Sequence, residues 1–378
     1  MALSLGSFFE GLLGGKPSSV IGVDIGSSSA KVIQLRASRG TAILETYGEI
    51  ALGPYAQQPV GKVVKLTPEK LAEVLRDVIK EANVTAMEAG LSIPFSSSLV
   101  TIIDLPKVDA ESLKRIIPLE ARKYIPVPVS EVTLDWFVIP KDGTDTAFDQ
   151  LQEKTPLQTK GEEVLLVAIQ NATLQNYQSI VGAVGLHAQF YEMEIFSTIR
   201  SSVSHGLAPY LVVDFGASTT KMYVVERGVV RMTHLLTIGG QHVTETLART
   251  MNWEFEKAER VKRERGFLES SVFSGEENER IKQALLSTLS RVFSEVNRVL
   301  LSYGQRYNKN VPGIILAGGG ASLPGIAEVA KSALSAEVVI ADPFSHTEAP
   351  AFLTKVLSEI GPGFAVAVGL AMRSLKRS

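Results

Sequence analysis

Two segments of this chain repeat one pattern, and the repeat constrains the fold more than any other feature of the sequence. The first segment, VIGVDIGSSSAKVIQL, begins at Val20, and the second, YLVVDFGASTTKMYVV, begins at Tyr210. Each segment predicts a strand, an Asp-x-Gly turn, a short loop rich in small and hydroxyl residues, and a second strand. The repeat therefore predicts two similar domains, each of which presents one hairpin to a cleft between them.

The two loops have the composition of a phosphate-binding turn. Glycine permits a tight turn and a close approach of the backbone to a ligand, and successive N–H groups and hydroxyls donate to phosphate oxygens. The residues concerned are Gly26, Ser27, Ser28 and Ser29 in the first loop and Gly216, Ala217, Ser218, Thr219 and Thr220 in the second. Asp24 and Asp214 end the two leading strands and are candidate ligands of Mg²⁺, directly or through water. One such hairpin alone is explained equally well by an ordinary β-turn, but two copies favour one site that faces a phosphate chain from both sides.

A third glycine turn, with Gly318, Gly319 and Gly320 ahead of Ser322, follows the predicted strand GIIL. An ordinary strand-to-helix turn explains it, but a glycine surface also lets an adenine or ribose lie against the backbone. The helix that contains Glu259 and Lys262 is a candidate source of polar ribose contacts, although charges on a lone amphipathic helix are more often solvated. Together these segments predict a nucleotide site.

Composition excludes several classes of function. The formal net charge of −2 gives no overall field that would attract nucleic acid or anionic lipid. The absence of cysteine excludes disulfides and thiolate metal sites. We find no uninterrupted apolar run of the roughly eighteen residues that a spanning helix needs, so the chain is not expected to cross a membrane. Residues 1–19 are expected to form a loosely docked tail, with a small apolar anchor for a partner or a membrane surface as the alternative.

The stretch from about Leu99 to Leu186 differs from the rest of the chain in composition and in the order of its predicted strands and helices. It predicts a small α+β unit inserted into the first domain. Within it we expect an amphipathic helix over residues 111–124, broken near Pro118, and a polar loop over residues 141–163. Just after the unit, residues 190–202 are expected to form a helix. The expected parts of the chain are the tail; subdomain 1A, residues 20–98 completed by 187–208 and 361–378; the inserted, partner-binding subdomain 1C, residues 99–186; subdomain 2A, residues 209–240 and 311–360; and subdomain 2B, residues 241–310.

The order of these elements resembles the actin-like ATPase superfamily, which includes actin, heat-shock chaperones, sugar kinases and the cell-division protein FtsA. A closer resemblance rests on the inserted unit, on ARKYIPVPVSEVTLDWFVI, on YEMEIFSTIR, on I-G-G-x-x-x-T from Ile238 to Thr244, and on AVGLAMR from Ala367 to Arg373. In these features the chain resembles the PilM family of type IV pilus machines. The resemblance covers nearly the whole chain. It implies an α/β fold of two ribonuclease-H-like domains around a nucleotide cleft, with an inserted α+β subdomain of the SHS2 type.

The resemblance also implies ligands and partners. The cleft would bind ATP or ADP with Mg²⁺, and the inserted subdomain would help to bind the cytoplasmic N-terminal peptide of the membrane protein PilN. Other pilus platform and motor proteins and a second copy of the chain are further expected partners, whereas nucleic acid is not. The protein would lie in the cytoplasm at the inner face of the cytoplasmic membrane.

The resemblance adds four residues to the candidate site. Lys31 would reach a phosphate, and Gly239 and Gly240 would lie beside the second loop. Glu194 matches the position at which hydrolysing relatives have an acidic residue near the attacking water or metal, and its competing interpretation is a charge on an ordinary helix. Hydrolysis needs a group that orients water, so we expect ATP binding with slow or absent turnover.

Two other interpretations stay open. One is an FtsA-like filament protein, which is disfavoured because FtsA has a membrane helix after a long C-terminal linker while this sequence stops at LAMRSLKRS. The other is a sugar or acetate kinase, which is disfavoured because the inserted unit is rich in apolar residues and proline rather than in polar substrate ligands.

Overall fold

A computed structural model describes residues 19–38, 40–139, 161–204, 206 and 208–375. The predicted tail lies outside these residues apart from Ser19, and so does most of the predicted polar loop. The strands are β1 (Ser19–Ile25), β2 (Ser29–Ser38), β3 (Thr41–Ala51), β4 (Glu88–Ile93), β5 (Ser98–Leu105), β6 (Val132–Val138), β7 (Glu162–Gln170), β8 (His187–Met193), β9 (Tyr210–Phe215), β10 (Thr220–Glu226), β11 (Val229–Leu236), β12 (Gly313–Ala317), β13 (Glu337–Ile340) and β14 (Thr347–Glu348). The α-helices are α1 (Pro68–Glu81), α2 (Ala110–Ala121), α3 (Asn171–Val184), α4 (Glu194–Ser202), α5 (Gly240–Met251), α6 (Phe255–Arg265), α7 (Gly275–Tyr307), α8 (Ile326–Ala333) and α9 (Thr354–Leu375).

Two of the sheets repeat one topology, as the sequence repeat predicts. The first sheet has the order β14-β3-β2-β1-β4-β8, and the second has the order β11-β10-β9-β12-β13. In the first, β1 pairs antiparallel with β2 and parallel with β4. In the second, β9 pairs in the same way with β10 and β12. The chain therefore has two α/β domains of matching topology, called here the first and the second domain.

Each repeated hairpin stands at the end of a buried strand. Residues Val20 to Ile25 of β1 are all buried, because helices cover both faces of a sheet of this kind. On one face of the first sheet lies α1, which begins at Pro68 with the side chain of Thr67 as its N-cap. In the second domain the 33-residue α7 packs its buried face against β10 and β11.

The inserted unit contains a third sheet, in the order β5-β7-β6, with α2 packed against it. The prediction that the helix breaks near Pro118 is wrong, because α2 continues to Ala121. Ile117 and Ala121 are fully buried on the same helix face, and this packing offsets the one hydrogen bond that proline removes. Glu162 and Glu163, predicted to end the polar loop, begin β7 instead.

The predicted helix over residues 190–202 is wrong in its first part. Residues 187–193 form β8, which pairs in parallel with β4, and the helix begins only at Glu194. In β8 the side chains of Phe190 and Glu192 are buried. Pairing with β4 outweighs the helical periodicity of this short segment. The correction puts Glu194 at the first turn of α4, at the carboxyl end of a parallel strand.

The closing helix α9 begins at Thr354 and runs to Leu375. Among the described residues, Ala351–Leu375 is long and apolar enough by length and composition to span a membrane, with a mean hydropathy of 1.4. In the structure Phe364, Val368 and Leu370 are at most 2% exposed. The helix packs against β1, β2, β4 and α4. It is a core helix of the first domain.

Candidate nucleotide site in the interdomain cleft

The two hairpins and the third glycine turn border one cavity of about 550 Å³ between the domains. The predicted residues that line it are Asp24, Gly26, Ser27, Ser28, Ser29, Lys31, Glu194, Asp214, Gly216, Ala217, Ser218, Thr219, Gly240, Glu259, Lys262, Gly318, Gly319, Gly320 and Ser322. A cavity of this size and mixed lining is typical of a small-molecule site. The structure thus brings together residues that are up to about 300 positions apart in the sequence.

Two predicted residues, Thr220 and Gly239, do not line the cavity, and both support the second hairpin instead. The Thr220 side chain is fully buried, and its hydroxyl donates to the carbonyl of Ile238 at 2.7 Å. A Cβ atom added to Gly239 would lie 2.5 Å from the carbonyl oxygen of Ala217. Only glycine permits this approach, so Gly239 lets the start of α5 pack directly on the hairpin.

The two hairpins have the same turn. The N–H of Gly26 donates to the carbonyl of Ser29 at 2.9 Å, and the N–H of Gly216 donates to that of Thr219 at 3.0 Å. The strand registers also match, because Asp24 is opposite Lys31 and Asp214 is opposite Lys221. The sequence repeat is thus a structural repeat down to the single residue.

The first hairpin presents Asp24 and Lys31 at the cavity. One Asp24 oxygen accepts a hydrogen bond from the Ser92 hydroxyl at 2.7 Å. Burial raises the pKa of the Asp24 carboxyl, and Lys31 and Ser92 only partly oppose this effect. The Lys31 ammonium donates to Ser29 at 2.8 Å and pairs with Glu49 at 3.0 Å. Lys31 therefore stabilises the first hairpin and joins it to Glu49 on β3.

The second hairpin contains a buried ion cluster that the sequence interpretation missed. The Lys221 ammonium donates to Asp214 at 2.9 Å and to Glu194 at 2.7 Å. Burial alone would lower the pKa of Lys221, but the two carboxylates outweigh it and the pKa is raised, so Lys221 stays charged. Lys221 aligns with Lys31 in the sequence repeat, and this alignment could have identified it as a site residue.

Glu194 is not a charge on an ordinary exposed helix. Its side chain is 13% exposed, and its second oxygen accepts the backbone N–H of Phe95 at 2.7 Å. Phe95 lies just before β5, where the chain enters the inserted unit. Glu194 therefore contacts the second hairpin on one side and the base of the inserted unit on the other.

Glu259 and Lys262 are not solvated either. Glu259 is 4% exposed and accepts hydrogen bonds from Thr244 at 2.5 Å, Lys262 at 2.6 Å and Arg263 at 2.5 Å. Burial raises the pKa of Glu259, but Lys262 and its other partners outweigh burial and hold the pKa below its ordinary value. Lys262 also donates to the carbonyl of Gly240 at 3.2 Å. This network ties α6 to the start of α5 at the wall of the cavity.

The residues present fit a nucleotide better than a directly bound metal ion. Gly318 to Gly320 offer bare backbone beside both hairpins, and the loops offer N–H groups and hydroxyls for phosphate. In the described part of the chain, no group of three or more His, Cys, Asp or Glu residues is placed to hold a metal. The Asp214 carboxylate already binds the Lys221 ammonium. Of the two expected roles of Asp214, contact with Mg²⁺ through water therefore fits better than direct ligation.

Two α/β domains of matching topology that close two equivalent hairpins on one cleft define an actin-like ATPase fold. Solved structures of low sequence identity show the same fold. The structure titled "PilM-PilN type IV pilus biogenesis complex" matches with a TM-score of 0.75 and 24% identity, covering 94% of this chain and 98% of the other. MreB5 of Spiroplasma citri bound to ADP matches with a TM-score of 0.53 and 12% identity, covering 95% and 98%.

The family model described as "Type IV pilus assembly protein PilM" matches residues 22–375, and the chain belongs to this family. Among curated proteins, FtsA of Bacillus subtilis (strain 168) is 24% identical over 281 residues, which is 66% of this chain and 60% of FtsA. FtsA of Agrobacterium fabrum (strain C58) is 24% identical over 233 residues, 56% of this chain and 51% of that protein. The chain thus spans between half and three fifths of the length of these two relatives.

Proposed function

We propose that this chain is a nucleotide-binding adapter of a type IV pilus assembly platform. In the proposal, ATP or ADP binds in the cleft and fixes the arrangement of the two domains. The inserted subdomain, residues 99–186, then presents a surface to the cytoplasmic N-terminal peptide of a PilN-type membrane protein. The protein would act at the inner face of the cytoplasmic membrane through this partner. Other pilus platform and motor proteins and a second copy of the chain are additional candidate partners.

The observation that carries the proposal is the convergence of both hairpins on one cavity. Each hairpin ends a buried strand and has the same turn, so two sets of N–H groups and hydroxyls face one space. Donors on opposite sides suit an elongated anion such as a triphosphate better than a compact neutral ligand. The glycine turn at Gly318 supplies the surface against which an adenosine would lie. Mg²⁺ is proposed only as a companion of the phosphates, near Asp24 and through water.

The inserted subdomain has the features of a peptide-binding surface. Its exposed apolar side chains include Leu119, Tyr124 and Phe137, which are 59%, 44% and 51% exposed. Phe137 lies on β6, which is an edge strand of the described third sheet. An exposed edge strand is a common acceptor of an extended peptide. The solved relative is a complex with PilN by its title, which supports a PilN-type peptide as the occupant.

Direct contacts connect the cleft with the inserted subdomain. Glu194 joins the second hairpin to Phe95 at the base of the insert. Arg231 of β11 pairs with Glu163 of β7 at 2.7 Å. The insert, α4 and the second sheet also share one apolar core. A nucleotide that changes the angle between the domains would therefore move the insert as well. The largest change in partner affinity that the nucleotide can cause is set by the difference in its own affinity for the two domain arrangements.

We propose slow or absent hydrolysis. Turnover needs a free base or water-orienting group in line with the γ-phosphate. Glu194 is the candidate for that role, but its carboxylate is engaged by Lys221 and by Phe95. Burial raises the pKa of Glu194, but each of its two oxygens already accepts a hydrogen bond and is not free to orient a water. We therefore assign Glu194 a role in the contact between the domains rather than a catalytic role.

The nucleotide site is tested by titration calorimetry. We expect the wild-type protein to bind one ATP in the presence of Mg²⁺, and Asp24→Asn to weaken that binding several-fold, up to about tenfold, because the charge that faces the phosphate-bound cation through water is lost. Ser92→Ala is the matched control, since it removes the hydrogen bond to Asp24 and leaves the carboxylate. Unchanged affinity in Asp24→Asn would remove the site assignment.

The partner surface is tested by peptide binding with and without ATP. A synthetic N-terminal peptide of the PilN-type protein from the same operon is titrated by fluorescence anisotropy. We expect ATP to raise peptide affinity and peptide to raise ATP affinity by the same factor, because linkage is reciprocal. Phe137→Ser should weaken the peptide, whereas Phe352→Ser, at another phenylalanine that is 81% exposed, should not. Equal effects of the two variants would contradict the assignment of the insert.

A further inference from the structure

Lys31 and Lys221 occupy equivalent positions in the two hairpins, yet their ammonium groups have different partners. Each lysine is opposite the aspartate of its hairpin in the strand register. Lys31 pairs with Glu49 and with the hydroxyl of Ser29. Lys221 instead pairs with its own aspartate, Asp214, and with Glu194 of the other domain. The ammonium of the second hairpin is therefore bonded directly to its own aspartate, whereas Lys31 acts on Asp24 only through its charge.

The Lys221 cluster is enclosed within the cleft wall. The Lys221 side chain is 11% exposed, and those of Asp214 and Glu194 are 6% and 13% exposed. The ammonium joins the two carboxylates at 2.9 and 2.7 Å. All three side chains also line the cavity. Two acidic groups on opposite domains are thus neutralised in part by one resident cation at the place where phosphate would enter.

We propose that Lys221 is the resident cation of the nucleotide site and takes the place between Asp214 and Glu194 that a divalent ion would otherwise occupy. The inference rests on the proposed nucleotide binding and adds a specific property to it. A nucleoside polyphosphate then binds with little dependence on Mg²⁺. Lys221 also holds the two domains together across the cleft, so it positions the second hairpin for the phosphates.

The chemistry of lysine and magnesium supports this assignment. An ammonium has three donors, of which two go to carboxylates here, and we assign the third to a phosphate oxygen. Mg²⁺ needs a near-octahedral set of oxygens and keeps several waters. To occupy the place between Asp214 and Glu194 it would have to displace Lys221 from both carboxylates, which would leave a buried ammonium without either partner. The resident lysine therefore excludes the ion from this position.

The first arm of the test uses the wild-type protein alone. ATP is titrated by calorimetry in Mg²⁺ and then in EDTA. We expect the two dissociation constants to agree within about tenfold. A loss of more than about a hundredfold in EDTA would overturn the inference while leaving the proposed function intact. No binding in either buffer would contradict the proposed function, and the inference would fall with it.

The second arm compares variants. Lys221→Met leaves two carboxylates without their cation, so we expect ATP affinity in EDTA to fall by more than about a hundredfold and Mg²⁺ to restore most of it. Lys221→Arg keeps the charge and should remain nearly independent of Mg²⁺. Lys31→Met is the matched control from the other hairpin and should weaken ATP by the same factor in both buffers. Equal dependence on Mg²⁺ in Lys221→Met and wild type would contradict the inference.

The third arm needs no nucleotide and also reports on folding. Melting temperatures are measured with and without Mg²⁺ or Mn²⁺. We expect a divalent ion alone to raise the melting temperature of Lys221→Met and not that of the wild type, because only the variant offers two free carboxylates. An equal rise in both proteins would mean that Lys221 does not occupy the cation position. If Lys221→Met does not fold, the wild-type measurements and Lys221→Arg still decide the question.

Discussion

Gly318→Ala tests how the third glycine turn is joined to the second hairpin. Gly318 has φ of 80° and ψ of 165°, a region that only glycine occupies readily, so a side chain there costs about 1–3 kcal/mol. An added Cβ would lie 2.4 Å from the Asp214 carboxylate and 2.7 Å from the carbonyl oxygen of Phe215. Overpacking of this kind costs about 1–3 kcal/mol more. The two effects together predict a destabilisation of about 2–6 kcal/mol.

The displaced Asp214 would also disturb Lys221, so we expect ATP affinity to fall by at least about tenfold. Urea unfolding gives the stability, and calorimetric titration gives the affinity. Gly319→Ala is the matched control, because a Cβ at Gly319 meets nothing within 4 Å, and its stability should equal that of the wild type. The reasoning is refuted if Gly318→Ala is as stable as Gly319→Ala, or if both variants are equally damaged.

Three further predictions follow from ion pairs. Glu192→Gln should cost about 3–5 kcal/mol in urea unfolding, since the buried Glu192 binds Arg200 at 2.7 and 2.8 Å. Burial raises the pKa of Glu192, but Arg200 outweighs burial and holds it below the ordinary 4.5, so this stabilisation is present above that pH and is lost as the pH falls below it. Lys62→Ala removes a pair with Glu245 that crosses the cleft at 3.0 Å, and should speed release of a fluorescent ATP analogue several-fold while stability changes by under about 1 kcal/mol. Glu163→Gln should reduce the factor by which ATP raises peptide affinity, with the affinity for ATP alone unchanged.

Each of these predictions has its own contrary outcome. For Glu192, the wild-type protein and the variant would lose stability in parallel as the pH is lowered. For Lys62, the release rate would match that of Lys331→Ala, which removes an exposed pair with Glu328, and neither of these two residues lines the cavity. For Glu163, the linkage between ATP and peptide would be as strong in the variant as in the wild type.

The repeat allowed much of the fold to be predicted, because the period of a strand and an Asp-x-Gly turn are local properties of the sequence. The buried runs that end at Asp24 and Asp214 predicted both hairpins and the matching domains, and the sheet orders agree. The predictions were wrong where tertiary contacts decide. Residues 187–193 join a parallel sheet through β4, and Pro118 is held inside α2 by the buried face around it.

The sequence predicted which residues form the candidate site better than it predicted the contacts between them. Most of the residues that the repeat and the glycine turn identified do line the cavity. The repeat and the glycine turn did not indicate that Lys221 joins Asp214 to Glu194, because that contact depends on where α4 begins and on how the domains pack. Thr220 and Gly239 have the residue types of a phosphate loop, yet their roles are to hold the hairpin against α5.

The central claim is that both hairpins hold one phosphate chain, and calorimetric titration of ATP into Ser28→Glu and Ser218→Glu tests it most directly. Both serines are partly exposed at the cavity, so each glutamate would place a carboxylate against the phosphates without burying it. The account predicts that either variant alone loses ATP affinity by more than about a hundredfold, whereas Ser332→Glu, at an exposed serine of α8, does not. Wild-type affinity in either hairpin variant would contradict the account.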